Sequence, residues 1–183
     1  DGIRQAVGTR LTGAHGEGFV RLHLITSDPR QAIDGAELIM VVTPAVTHEM
    51  IAEAVAPALR AGQAVVLNPG RTAGALCFMN TVRRRGNPAE LLIAETQTLL
   101  YSCRRFDQAD VHITGVKDTM DIACLPAFGI DRVIALLHPF YPQFKPRPHT
   151  LYTSMNNVGI LVHPAPILFN IGWLESPYDF DYY

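Results

Sequence analysis

What the chain has little of narrows the choices first. It carries 3 cysteines in 183 residues, and Cys77, Cys103 and Cys124 are far apart. No CxxC pair or disulfide framework can be drawn from them, so a reducing, cytoplasmic setting is expected. Charge is scarce too: charged residues make up 17% and the formal net charge is −2. No basic footprint for nucleic acid or for a membrane surface follows from that balance. The one basic cluster, Arg83-Arg84-Arg85, falls at the end of an expected helix, where cations suit the helix dipole. The most apolar stretch, Met155 to Gly172, is interrupted by His163, Pro164 and Pro166, which argues against a membrane span. There is no secretory signal, and both ends read as cut, so a fragment is expected. The 7 histidines offer no metal-ligand pair, and no metal site is expected. Ser102 and Ser154 lack a nucleophile elbow, which sets a hydrolase aside.

What is present is a 48% hydrophobic chain, enough for one domain with a real core and the start of another. The glycine-rich GAHGEG at Gly13 to Gly18 has the wrong spacing for a dinucleotide fingerprint and precedes a strand-like segment, so it reads as a turn. Arg21 to Thr26 alternates like an edge strand, and Asp28 with Pro29 signals a short capped helix. Apolar runs then recur at 37–42, 64–67 and 91–94, the pattern of parallel strands covered on both faces. Helical periods separate them, at Thr47 to Leu59 and from a Thr72 cap to about Arg85, ended by Gly86-Asn87-Pro88. Alternation with short connections predicts a parallel α/β sheet with right-handed crossovers. Ligands collect at the carboxyl ends of such strands, here the loops Thr43-Pro44-Ala45, Asn68-Pro69-Gly70 and Glu95-Thr96-Gln97. Leu99 to Cys103 and Asp110 to Val116 alternate like an antiparallel pair, Asp131 to Leu137 like a helix, and Tyr141 to His149 like a proline-rich linker.

A long apolar helix is expected from Thr150 onward. Asn156, His163 and Asn170 recur in it at steps of seven, which places them on one stripe. Pro164 and Pro166 deprive the carbonyls of Ile160 and Val162 of their helical donors, so the helix should kink or restart at His163. Gly159, one turn earlier, leaves room beside the imidazole. A histidine there can be a satisfied core residue, or an acid and base whose pKa burial moves easily.

The series Val41-Val42-Thr43-Pro44-Ala45, Leu67-Asn68-Pro69-Gly70-Arg71-Thr72, Ala94-Glu95-Thr96-Gln97-Thr98, and Asn156-Asn157 with His163-Pro164-Ala165-Pro166 resembles the octopine/nopaline (opine) dehydrogenase family. The likeness runs from about Gly16 to Tyr183, with the motifs in the family's order. It implies a Rossmann dinucleotide-binding domain, partial here at residues 1–145, and the start of an all-helical substrate and catalytic domain at 150–183. It implies an NAD- or NADP-dependent oxidoreductase acting on CH–NH bonds, joining an amino acid's amine to a 2-oxo acid. The family's catalytic histidine falls on His163. Its glycine fingerprint would lie before Asp1, and its acidic partner to the histidine after Tyr183. Thr43, Pro44, Ala45, Asn68, Pro69 and Gly70 would border the cofactor. Asn156, Asn157 and Arg104 are expected to bind substrate, Arg104 through a carboxylate. Partners would be these small molecules, and a homodimer stays open.

Two rivals remain. Another two-domain dehydrogenase, of the ketopantoate reductase or glycerol-3-phosphate dehydrogenase type, would use a lysine base in the helical domain, and no Lys follows Lys145. A non-catalytic dinucleotide-binding protein could keep the fold without the chemistry.

Overall fold

Three short apolar segments set the architecture in the computed structural model, which describes residues 7–14, 16–105 and 109–177. The expected cut ends at 1–6 and 178–183, and His15 in the glycine turn, lie outside the described residues. Strands β3 (Leu38–Val41), β4 (Ala64–Leu67) and β5 (Leu92–Thr96) pair in parallel, with Leu38 opposite Ala64 and Ala64 opposite Leu92. Every residue of β4 is fully buried. Alternate side chains of a strand face opposite ways, so a strand covered on both sides must be apolar throughout. Val65 and Leu67 meet Phe78, Val82, Ala52 and Val55 on one side. Ala64 and Val66 meet Met120, Ile122, Val133, Leu137 and Phe144 on the other. Burying each large side chain is worth about 1.5–3 kcal/mol, so these two layers dominate the cohesion of the sheet.

The expected crossover helices are present. Helix α1 (Pro29–Ile33) opens under a cap in which Asp28 Oδ1 accepts from the Arg30 amide at 2.9 Å. Helix α2 (His48–Val55) lies between β3 and β4 and is flanked by single 3-10 turns at Ala45–Thr47 and Ala56–Ala58. Helix α3 (Gly74–Arg84) lies between β4 and β5 and ends at Gly86, whose φ of 80° closes the turn. Arg84 and Arg85 at its last turn pair with Glu49 and Glu53 of α2 at 2.6 Å each. The basic cluster is thus a helix-to-helix clamp as well as a dipole partner.

Beyond β5 the chain leaves the simple repeat. Strands β1 (Gly8–Gly13), β2 (Gly18–Arg21), β6 (Tyr101–Arg105) and β7 (Asp110–Val116) form a second sheet in the order β2-β1-β7-β6. The glycine-rich segment is the turn between β1 and β2, as expected, and β6 and β7 are the expected antiparallel pair. The edge strand lies at Gly18–Arg21, earlier than the alternation over 21–26 suggested. Strand β8 (Met120–Leu125) returns to the main sheet antiparallel to β5, helix α4 (Ile130–Leu137) follows, and β9 (Phe144–Pro146) pairs with β8 in parallel. The stretch read as a linker therefore holds a strand. It sits at the sheet edge, a place where Pro146 without an N–H is tolerated.

The single long helix is replaced by four short ones: α5 (Leu151–Met155), α6 (Gly159–Val162), α7 (Pro164–Phe169) and α8 (Ile171–Leu174). The restart at His163 occurs as expected, since His163 ends α6 and precedes α7. A further break falls at Asn156–Val158, where both asparagine side chains bond to the sheet side of the molecule instead of lying along a helix. Among the described residues no helix is long and apolar enough to cross a membrane.

Candidate active site

The carboxyl ends of β3, β4 and β5 carry the loops singled out in the sequence. Thr43 is fixed twice: its hydroxyl oxygen accepts from Thr47 Oγ1 at 2.8 Å, and its carbonyl accepts from His48 Nε2 at 3.3 Å. Pro44 and Ala45 turn the chain into the 3-10 segment, beside Val42 and Val46, which expose 56% and 91% of their surface. Asn68 is buried and turned inward, its Oδ1 accepting from Thr96 Oγ1 at 3.1 Å. The amides of Asn68 and Gly70 donate to Val41 and Thr96 carbonyls at 2.9 Å each. The 68–70 loop thus has carbonyl oxygens rather than amides left for a ligand. Gly70 is a close-approach glycine, because a Cβ there would come within 2.3 Å of Glu95 Cβ.

Glu95 is the residue that composition and spacing did not single out beyond its loop. It is fully buried at the end of β5. Its Oε2 accepts from the Ala75 amide at 2.7 Å, and its Oε1 from Thr153 Oγ1 at 2.7 Å and Ser154 Oγ at 2.6 Å. Ser154 Oγ in turn accepts from the Ala73 amide at 2.9 Å. The start of α3 is therefore capped from the sheet by a carboxylate, which the helix dipole favours. Thr72, expected as the cap, instead donates to the Ser154 carbonyl at 3.2 Å and accepts from Asn157 Nδ2 at 3.2 Å. One carboxylate joins β5, α3 and α5. His48 packs close by; burial lowers its pKa, opposed by its bond to the Thr43 carbonyl and by the Glu95 charge.

That knot seats the helical segment over a groove of about 850 Å³ between it and β6–β7. Arg104, Asn156, Asn157 and His163, four of the residues expected to act on substrate, all line it, together with Arg71 and Gln97. Asn156 Nδ2 donates to Gln97 Oε1 at 2.8 Å. Arg104 stands on exposed β6 and donates to the Cys103 carbonyl at 3.2 Å. Asn170 does not continue the stripe. It closes α7 by donating from Nδ2 to the Pro166 carbonyl at 2.9 Å. His163 is exposed in this groove and not packed in a core. Gly159 does clear its side: a Cβ there would sit 3.3 Å from His163 Cδ2 and 3.1 Å from Arg71 Nη1. The Thr43, Asn68 and Gly70 loops lie at the strand ends and do not line this groove.

A parallel sheet with crossover helices and a helical segment folded over its end defines a Rossmann-type α/β protein. The chain is a homologue of the opine dehydrogenases. It is 38% identical over 160 residues to an opine dehydrogenase of Arthrobacter sp. (strain 1C), covering 87% of this chain and 44% of the relative. In fold it is similar to octopine dehydrogenase solved with NADH and agmatine, at a TM-score of 0.76, 22% identity, and coverage of 96% of this chain and 45% of that one. It is likewise similar to yersinopine dehydrogenase with NADP+ bound, at a TM-score of 0.77, 13% identity, and coverage of 91% and 42%. The chain spans less than half the length of these relatives. No family model matches it.

Proposed function

We propose that this chain belongs to an NAD(P)H-dependent enzyme that reductively condenses an amino acid's amine with a 2-oxo acid. The observation that carries the proposal is the groove, which brings His163, Asn156, Asn157 and Arg104 to one wall-to-wall site although they lie as much as 59 residues apart in the chain. The amine nitrogen bonds to the oxo carbon, and the carbonyl oxygen leaves as water, giving an imine. His163 gives a proton to the departing oxygen and takes one from the amine, work that the two ring nitrogens of an imidazole can share. Asn156 and Asn157 orient the polar ends of the substrates, and Arg104 meets a carboxylate with its planar fork. Thr43, Pro44, Ala45, Asn68, Pro69 and Gly70 would hold the cofactor, the exposed faces of Val42 and Val46 suiting a flat, partly apolar ring. When bound, the reduced nicotinamide supplies the hydride that converts the imine to a secondary amine. The partial Rossmann unit at 1–145 would supply the cofactor side and 150–183 the start of the substrate side. Free Cys77, Cys103 and Cys124 fit a cytoplasmic protein.

The test is NADH or NADPH oxidation by the full-length protein with amino acid and 2-oxo acid offered singly and together. Oxidation that needs both, with an N-alkylated amino acid seen by mass spectrometry, is the expected result. Oxidation with the oxo acid alone, yielding a hydroxy acid, would point to the ketopantoate reductase type instead.

A further inference from the structure

Arg71 has no role in the scheme above, yet its backbone and its side chain both set it apart. Its φ is 60°, in the left-handed region that non-glycine residues seldom occupy. Such strain persists where the surroundings over-determine it, and it clusters at ligand sites. The Arg71 side chain lines the groove. There Nη1 reaches Asn157 Oδ1 at 3.4 Å, a long bond for a group with five N–H donors. Among the described residues no carboxylate forms an ion pair with it. Nη1 and His163 Cδ2 flank the same point beside Gly159, at 3.1 and 3.3 Å from where a Cβ would be. The guanidinium and the imidazole are therefore neighbours on one wall.

We infer that Arg71 is the anchor for the carboxylate of the 2-oxo acid. In a 2-oxo acid the carboxylate carbon is bonded directly to the carbonyl carbon. The cation that holds it must stand next to the group that protonates the carbonyl oxygen. The amino acid's carboxylate lies two bonds further from the reacting carbon, which suits Arg104 across the groove on β6. Arginine can hold a carboxylate through two parallel N–H bonds, fixing the plane of the oxo acid as well as its place. The Asn157 contact and the left-handed backbone point the fork before substrate arrives, which lowers the ordering cost of binding.

This inference rests on the proposed condensation, and the experiment separates the two. In the full-length protein, Arg71→Gly removes the fork while matching the left-handed backbone, so the melting temperature should not fall. With pyruvate as the oxo acid, its KM should rise about 10–100-fold, while the KM values for the amino acid and the reduced cofactor stay within about twofold. Arg71→Lys should recover only part of the loss, since a point charge lacks the fork. A rise in the amino acid's KM instead, a loss of kcat alone, or no change would overturn the assignment. If the wild type condenses nothing, the proposed function fails by itself. Calorimetric titration with pyruvate then decides on Arg71: binding by wild type that Arg71→Gly loses supports the anchor, and equal binding or none by wild type overturns it.

Discussion

A histidine's surroundings decide what it can do, and His163 and His48 are opposite cases. His163 stands exposed in the groove beside Arg71 and Asn157, where a proton can come and go. In the full-length protein, the proposed role of His163 makes His163→Ala cost about 10²–10⁴-fold in kcat with cofactor affinity nearly unchanged. Wild-type kcat in that variant would remove His163 from the chemistry. A joint loss of cofactor binding and melting temperature would make its role structural. His48 is only 2% exposed, and burial depresses its pKa against the raising effects of the Thr43 carbonyl and the Glu95 charge. As pH falls below about 6.5, the unfolded chain therefore takes up a proton at this residue more readily than the folded one. Stability from this group is therefore complete above pH 6.5 and lost as pH falls through the lower folded value. Urea melts between pH 7 and 5.5 should show a decline that His48→Gln makes shallower; equal slopes in both proteins would rule His48 out as the cause.

Short elements place those residues, and α6 is the most telling of them. In a four-residue helix, Gly159→Ala should add up to about 1 kcal/mol of helix propensity. The new methyl would press on Arg71 Nη1 and His163 Cδ2, which are flexible ends that can yield a few tenths of an ångström. The expected outcome is an unchanged or higher melting temperature with kcat/KM lowered about tenfold, because small misplacements of reacting groups are costly. Unaltered kcat/KM would mean that the clearance serves packing only. The same element shows how far sequence carried. The restart at His163 was readable, because Pro164 and Pro166 act on the backbone locally. The break at Asn156–Val158 was not, because it depends on Gln97, Thr72 and Arg71, partners 59 to 86 residues away. Strands β3, β4 and β5 were legible as apolar runs because both their faces are covered. Strand β8 carries Asp121 within a short apolar run, and Pro126 marks only where it ends. Strand β9 hid behind Pro142, Pro146 and Pro148, which mark loops by composition but do not forbid an edge strand.

Across the whole molecule, the sheet and the helical segment are joined at Glu95. The sequence exposed this residue only as part of a polar loop, since nothing local says that Thr153 and Ser154 will come to its carboxylate. Three donors converge on it without a basic partner among the described residues: the Ala75 amide and the hydroxyls of Thr153 and Ser154. Glu95→Ala leaves the amide and at least the Ser154 hydroxyl short of an acceptor, at about 1–3 kcal/mol for each unsatisfied group. Glu95→Gln keeps the shape and one acceptor oxygen, so its loss should be smaller. Thr153 has the Thr150 carbonyl as a second acceptor at 2.9 Å, which limits the damage at that hydroxyl. The loss should not spread evenly, because the apolar layers around β4 do not depend on Glu95. Amide exchange is expected to rise most in α5, at 151–155, and at the first turn of α3, while 64–67 stays protected until global unfolding. With α5 loosened, Asn156, Asn157 and His163 lose their seat over the groove, and kcat/KM should fall in the order wild type, Glu95→Gln, Glu95→Ala. Exchange rising equally at 64–67 and 151–155 would show that Glu95 supports the sheet as a whole. Activity lost without any change at 151–155 would show that it acts on the groove by some route other than the helical segment.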